Sequence, residues 1–236
     1  LSYVHLLYKD ETSCLKMIEE CDVLLAGWSE REDLVQKRLL AGKPVIRISE
    51  RIYREGQWKM ISPKGLLHKY KEHIRFRNAK AYLLCAGAYV ASDFSLIKAY
   101  PGKMYKWGYF TETKQYDVDK LLKEKAGSTG KPVEILFAGR FLPLKHPEYA
   151  LELAKRLREK NIPFHLTMVG GGELEESLHE QTATDELTDY VTFTGFQKPE
   201  IVRIYMEKAD IFLMTSNYLE GWGAVINEAM NSGCAV

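Results

Sequence analysis

The strongest constraint on the fold of this chain is a repeated succession: a short unbroken apolar run, a stretch with helical spacing, then glycine or proline before the next apolar run. Asp22 to Gly27 (DVLLAG) is followed by helical spacing over Glu32 to Leu40, by Gly42 and Pro44, and by the apolar Val45 to Ile48. Tyr82 to Val90 is the next predicted strand, Ser92-Asp93 is predicted to cap a helix reaching Tyr100, and Met104 to Tyr109 returns extended after Pro101-Gly102. The second half is more regular. Strands are predicted over Val133 to Gly139, Phe164 to Gly170, Tyr190 to Thr194 and Ile211 to Met214, with helices over His146 to Lys160, Glu173 to Glu180, about Glu200 to Lys208 and about Ala224 to Asn231. Strands that do not alternate apolar with polar are buried on both faces, which implies an α/β fold with parallel sheets covered by helices.

The pattern is interrupted once. Residues 111–130 (TETKQYDVDKLLKEKAGSTG) are polar and charged and end in small residues, the composition of an exposed connector. Two Rossmann-like domains are therefore expected, 1–110 and 131–236, joined by 111–130. With 236 residues, both are expected to be incomplete. With Leu1 first, neither a natural start nor a signal peptide is expected there, and the chain stops at Cys234-Ala235-Val236 just as an apolar, strand-like run begins.

Charge and cysteine content narrow the function classes. Thirty-three Lys+Arg against 32 Asp+Glu leave a net charge of +1, which removes the bulk-charge argument for a nucleic-acid partner and makes any anion site local. Cys14, Cys21, Cys85 and Cys234 show no C-x-x-C spacing and read as reduced thiols of a cytoplasmic protein. The most apolar stretch, Tyr82 to Ala91, is far shorter than the roughly 20 residues of a membrane span.

In parallel sheets, ligands sit beyond the carboxyl ends of the strands. After the first strand of the second half stand Arg140 and, five residues later, Lys145. A guanidinium fork and a compact ammonium suit the two phosphates of a diphosphate. After the second come Gly170-Gly171-Gly172, which permit close backbone approach. After the fourth come Glu220-Gly221-Trp222-Gly223-Ala224-Val225, where backbone amides at a helix start can face an anion, and then Glu228. Glu220 and Glu228 can accept hydrogen bonds from sugar or ribose hydroxyls. Taken singly, each feature is ordinary loop or helix-face chemistry; their shared edge of one sheet gives them weight.

From Ile135 to Val236 the chain resembles the C-terminal, nucleotide-sugar-binding domain of the retaining glycosyltransferases of family 4, the group 1 glycosyltransferases, which have the GT-B fold. The matching pieces are FAGRFLPLK, MVGGGE, VTFTGF, IYMEKADIFLMTS and EGWGAVINEAMNSGCAV, with seven residues between Glu220 and Glu228. The resemblance implies that Arg140 and Lys145 contact the donor diphosphate, Glu228 the ribose and Glu220 the donor sugar. It further implies that the backbone of Gly223, Ala224 and Val225 binds phosphate and that Phe196-Gln197 borders the base. His146 stands where the family often has glycine, close enough in sequence to crowd or contact the donor, and Trp222 replaces a more usual phenylalanine. Residues 1–110 resemble the family's N-terminal, acceptor-binding domain only in outline, and the resemblance implies a chain truncated at both ends.

The expected reaction is transfer of a sugar from a nucleotide-diphosphate sugar to a hydroxyl of a glycan or lipid-linked acceptor, with retention, in cell-surface polysaccharide synthesis. Arg140, Lys145 and the helix amides are expected to stabilise the departing diphosphate, so that neither metal nor other cofactor is needed. No carboxylate nucleophile for double displacement is identifiable. The alternatives are a nucleotide-binding piece without turnover and, more weakly, a GT-B-like sugar-nucleotide epimerase. In the first half, Ser49-Glu50-Arg51 and Gly87 to Asp93 are candidate cleft lining, with ordinary loop chemistry an equal reading. His68 to Lys80 (HKYKEHIRFRNAK) carries five Lys/Arg with Tyr70 and Phe76 interleaved; it is either a solvated face or a peripheral contact with anionic membrane.

Overall fold

The structure, a computed structural model, describes residues 5–27, 29, 31–126 and 130–236; Leu1 and Gly127-Ser128-Thr129 of the expected connector lie outside them. The chain divides into two compact units, Leu1–Tyr109 and Phe110–Val236.

The first unit contains α1 (Glu11–Glu20), β1 (Leu24–Ala26), α2 (Glu32–Leu40), β2 (Val45–Ser49), α3 (Pro63–Glu72), β3 (Ala81–Ala86), α4 (Val90–Leu96) and β4 (Met104–Trp107). The four strands are all parallel, in the order β1-β2-β3-β4, with Val45 opposite both Leu24 and Ala81. Val45, Leu83, Phe94 and Tyr100 are the centre of its core. Buried Arg38 of α2 donates to the carbonyls of Ile18, Cys21, Asp22 and Pro44, tying the end of α1 to the approach of β1 and β2. α1 has no counterpart in the sequence-based expectation; Asp10 caps it by accepting from the Ser13 amide at 3.0 Å. The strand predicted to run to Val90 stops at Ala86, because Gly87 turns the chain at φ 121° and Val90 already begins α4. Asp93 lies inside that helix and is not its cap. Its carboxylate is fully buried and accepts from Arg51, Gln57 and the Tyr53 amide. Burial opposes the charged form, but these three donors hold the acid below the usual carboxylate range.

The second unit contains α5 (Val118–Ala126), β5 (Val133–Ala138), α6 (Glu148–Glu159), β6 (Phe164–Val169), α7 (Glu175–Thr184), β7 (Val191–Gly195), α8 (Pro199–Lys208), β8 (Ile211–Phe212) and α9 (Ala224–Asn231). Its sheet is also fully parallel, in the order β7-β6-β5-β8, with Ile135 opposite both Leu166 and Ile211. Ala235 adds a parallel bridge to Ile211. The sheet is packed on both faces: Ile135, Phe137, Leu166 and Met168 belong to one core, and Leu136, Val169, Met206 and Phe212 to another. This two-sided burial is the physical reason for the unbroken apolar strands.

The connector expected over 111–130 is mostly exposed among its described residues, and it is also tied to the second unit. Residues from Phe110 onward cluster with the second unit. Lys114 Nζ and Tyr116 Oη bond Glu207 of α8 at 2.9 and 2.6 Å, and the Lys114 amide donates to Asn231 Oδ1 at 2.9 Å. Lys125 of α5 reaches the Ala209 carbonyl. A polar composition does not distinguish a free connector from one docked through side chains that bond acceptors distant in sequence.

Candidate nucleotide-sugar site

The carboxyl ends of β5 and β6 come together through glycine. Gly170 has φ 136°, and a Cβ there would stand 2.0 Å from the Gly139 carbonyl oxygen. Gly172, at φ 152°, would meet the Phe141 carbonyl at 2.7 Å. Only glycine lets these two loops lie against each other. The loop after β5 forms a 3-10 turn over Pro143–Lys145. It is stitched to the loop after β8: Thr215 Oγ1 donates to the Lys145 carbonyl at 2.6 Å, and the Asn217 amide to that of Leu144 at 2.9 Å.

α9 is placed by two devices. Gly223, its N-terminal cap, is left-handed at φ 69°, and a Cβ there would press within 2.9 Å of Met214 Cε. At the other end, the buried Arg203 of α8 donates to the carbonyls of Glu228 and Glu112, each at 2.9 Å, and to Asn231 Oδ1 at 2.5 Å.

These elements enclose a cavity of about 380 Å³. Arg140 and Lys145 line it from the loop after β5, and Gly170 from the end of β6. Phe196 and Gln197 enter after β7, and Glu220, Gly223, Ala224 and Val225 from the start of α9. Lys145 Nζ and Glu220 form an ion pair with both side chains mostly buried. Arg140 is exposed, and no side-chain partner of its guanidinium is found among the described residues. Gln197 folds back, its Nε2 donating to the Thr194 carbonyl at 2.7 Å, while the Phe196 ring stays exposed.

Of the residues singled out from sequence, Gly171 and Glu228 are not among those lining the cavity. Gly171 is one position off; its place is set by the Phe196 ring and Glu175, which a Cβ would meet at 2.8 and 2.9 Å, and its neighbour Gly170 occupies the cavity wall. Glu228 lies a turn into α9, half-buried, beyond the helix start that faces the cavity. His146 does not line the cavity. It takes the left-handed φ of 45°, Nδ1 lies 2.7 Å from Glu148 Oε1, and the ring stacks on Tyr149 at 4.9 Å. That backbone conformation is the physical reason glycine suits the position. The chain also contains one Asp-x-Asp triplet, Asp117-Val118-Asp119. Asp117 caps α5 by accepting from the Lys120 amide at 3.0 Å, and neither aspartate lines the cavity.

Sequence reasoning missed a larger cavity, about 640 Å³, in the first unit. Ser49, Glu50 and Arg51 line it, whereas Gly87 to Asp93 do not. Its walls are ion-paired: Arg47 holds Glu32 through both guanidinium ends, and His68 Nε2 lies 3.1 Å from Glu72 Oε1. An arginine at a buried strand position, Arg47 in β2, was the available signal.

The sequence model of the family described as "Glycosyl transferases group 1" matches residues 118–236. The amylovoran biosynthesis glycosyltransferase AmsK of Erwinia amylovora is 32% identical over 111 residues, 45% of this chain and 27% of that protein. An alpha-D-kanosaminyltransferase of Streptomyces kanamyceticus is 29% identical over 109 residues, 46% of this chain and 28% of that protein. Among solved structures, Alr3699/HepE of Anabaena in complex with UDP and glucose superposes with a TM-score of 0.65 at 16% identity, over 95% of this chain and 60% of that one. WaaG, a glycosyltransferase involved in lipopolysaccharide biosynthesis, superposes with a TM-score of 0.57 at 16% identity, over 98% of this chain and 76% of that one. The likeness shows the fold, two Rossmann-like parallel-sheet units of the GT-B class. The matched segments cover less than a third of either curated relative.

Proposed function

The chain belongs to the group 1 glycosyl transferases, and from that premise we propose that it takes part in transferring a sugar from a nucleotide-diphosphate sugar to a hydroxyl of a glycan or lipid-linked acceptor, with retention at the anomeric carbon. One observation carries the reading: a single cavity brings together Arg140, the Lys145–Glu220 pair and the amide end of α9. HepE in complex with UDP-glucose, and the polymer named for AmsK, support a nucleotide sugar as donor and a role in polysaccharide synthesis.

In this reading the diphosphate lies between Arg140, Lys145 and the amides of Ala224 and Val225. As the sugar–phosphate bond lengthens, charge grows on the leaving oxygen and these groups stabilise it, while the sugar gains oxocarbenium character. No metal is needed for that step. Glu220 orients the donor sugar, and Phe196-Gln197 border the base. Glu228 is assigned the ribose through the family resemblance alone. The acceptor falls to the first unit, and the four cysteines, all free thiols, support a cytoplasmic setting.

Calorimetry with nucleoside diphosphates tests the donor site. Binding that is lost in the double variant Arg140→Ala, Lys145→Ala supports it, and undiminished binding overturns it. Product analysis tests retention, since an inverted anomeric carbon removes that claim. Turnover measured with this chain separates a transferase from a nucleotide-binding piece without turnover.

A further inference from the structure

α3 is built inside out. In a helix lying on a sheet, apolar side chains face inward and charged ones outward. Here the half-buried positions of α3 are Gly65, Lys69 and Glu72, spaced four and three apart, so the inner face is small and polar. Lys69 and Glu72 line the polar cavity of the first unit. Leu66, Leu67 and Tyr70 stand on the outer face, with Leu67 56% exposed. The 3-10 turn just before α3, Gln57–Ile61, adds Trp58 and Ile61, 65% and 78% exposed. Five large exposed apolar side chains thus fall within thirteen residues of chain, on a turn and a helix that pack against each other.

Within the patch the charge is positive, and carboxylates stand only at its two ends: Glu55, paired with Lys59, and Glu72, 3.1 Å from His68. Residues 56–71 (GQWKMISPKGLLHKYK) hold four lysines and no carboxylate, in a chain whose net charge is +1, so the remainder of the chain is net negative. Lys64 and Lys71 are exposed and stand three positions before and four positions after Leu67 on the helix, which sets them beside the apolar stripe. Lys59 lies over the Trp58 ring at 5.7 Å and pairs with Glu55.

We propose that Gln57–Ile61 and α3 form a docking surface for an anionic lipid bilayer, with Trp58, Ile61, Leu66, Leu67 and Tyr70 seated at the headgroup boundary and Lys64 and Lys71 on lipid phosphates. Tryptophan, tyrosine and lysine are residues that settle where an apolar layer meets charged headgroups. A protein partner fits less well, because lysine is depleted at protein interfaces. The surface relocates the membrane contact expected over His68 to Lys80. In that segment Phe76 and His73 are buried in the core, and Arg75 is engaged by Gln36 and the Phe76 ring. The inference does not rest on the donor-site reading.

Cosedimentation of the whole chain with vesicles of phosphatidylcholine, with and without phosphatidylglycerol, tests it. Binding is expected only to the phosphatidylglycerol vesicles and to fall with added salt. Lys64→Gln with Lys71→Gln is expected to weaken binding about thirty-fold, and Trp58→Ala with Leu67→Ala to abolish it. All four positions are exposed, and circular dichroism checks that the variants stay folded. As an independent reading on the unaltered chain, vesicle-induced blue-shifted tryptophan emission is expected to vanish in Trp58→Phe. Absence of binding, binding unaffected by either pair of substitutions, or concentration-dependent self-association removed by Trp58→Ala with Leu67→Ala would each overturn the proposal.

Discussion

Lys145 and Glu220, seventy-five positions apart in sequence, form an ion pair inside the cavity at the carboxyl end of the second sheet. The lysine proposed for a phosphate therefore already has a carboxylate on it. In the donor-site reading, an incoming diphosphate competes with Glu220 for the ammonium. Lys145→Ala is expected to lower nucleoside-diphosphate affinity about 10–100-fold, the worth of a charged hydrogen bond. Glu220→Gln removes the competitor and is expected to raise affinity while slowing sugar transfer. Calorimetry on both variants decides the point: equal weakening by both would reduce the pair to a structural brace.

Glu228 gives a second test of the same site. It lies outside the cavity lining, and in the donor-site reading it is assigned to the ribose by the family resemblance alone. Glu228→Ala is expected to weaken ribonucleoside diphosphates while leaving inorganic pyrophosphate binding unchanged. Loss of both in parallel would mean that the substitution disturbs α9 itself.

Arg203 anchors that helix from beneath. Replacing it with methionine removes three hydrogen bonds, taking the guanidinium donor from the Glu112 carbonyl while the Glu228 carbonyl keeps Ser232 and Asn231 Oδ1 keeps the Lys114 amide. The second unit is expected to lose about 3 kcal/mol, measured by urea unfolding. A loss under about 1 kcal/mol would show that water replaces the guanidinium without penalty.

Two glycines separate conformational strain from close approach. Gly195 has φ 66° with open space around it, whereas Gly170 at φ 136° faces the Gly139 carbonyl. Gly195→Ala is expected to cost about 1–2 kcal/mol, the left-handed penalty alone. Gly170→Ala should cost clearly more, about 3 kcal/mol or above, since two backbone segments must part. Similar melting temperatures for the two variants would contradict the geometry.

His73 makes the first unit acid-sensitive. Burial, with the nearby cations Arg47, Lys69 and His68, pushes its imidazole well below the ordinary range, and its Nδ1 lies 2.7 Å from Tyr100 Oη. The fold keeps the ring neutral while the unfolded chain takes up a proton below about pH 6.5. Stability is therefore full above that pH and falls as the pH drops, by about 2 kcal/mol between pH 7 and pH 5. His73→Phe should flatten that slope in denaturation measured at the two pH values, and an unchanged slope would remove His73 as its source.

How far the fold was legible varied with what held each element. α2 and α9 lie at the positions their apolar spacing predicts, and β5, β6 and β7 differ by a residue at one or both ends, because burial on both faces writes itself directly into composition. α1 and α3 were not read. The first is set by a cap and by Arg38 from another helix, and the second turns its apolar side outward, against the pattern a sequence reader uses. The segment 111–130 looked like a tether because Lys114, Tyr116 and Lys125 are polar; their partners, Glu207 and the Ala209 carbonyl, are remote in sequence.

The sequence by itself determined two parallel α/β sheets and the set of loops that would gather at one edge of the second, since strand order and handedness leave few places for strand-end residues to go. Only the tertiary structure decided which of those residues face a common space. It seated Arg140, Lys145, Glu220 and the start of α9 on one cavity, moved the wall from Gly171 to Gly170, and left Glu228 and His146 outside the lining. Side-chain direction depends on backbone φ at Gly170, His146 and Gly223, and on contacts between residues tens of positions apart, and neither is carried by local spacing.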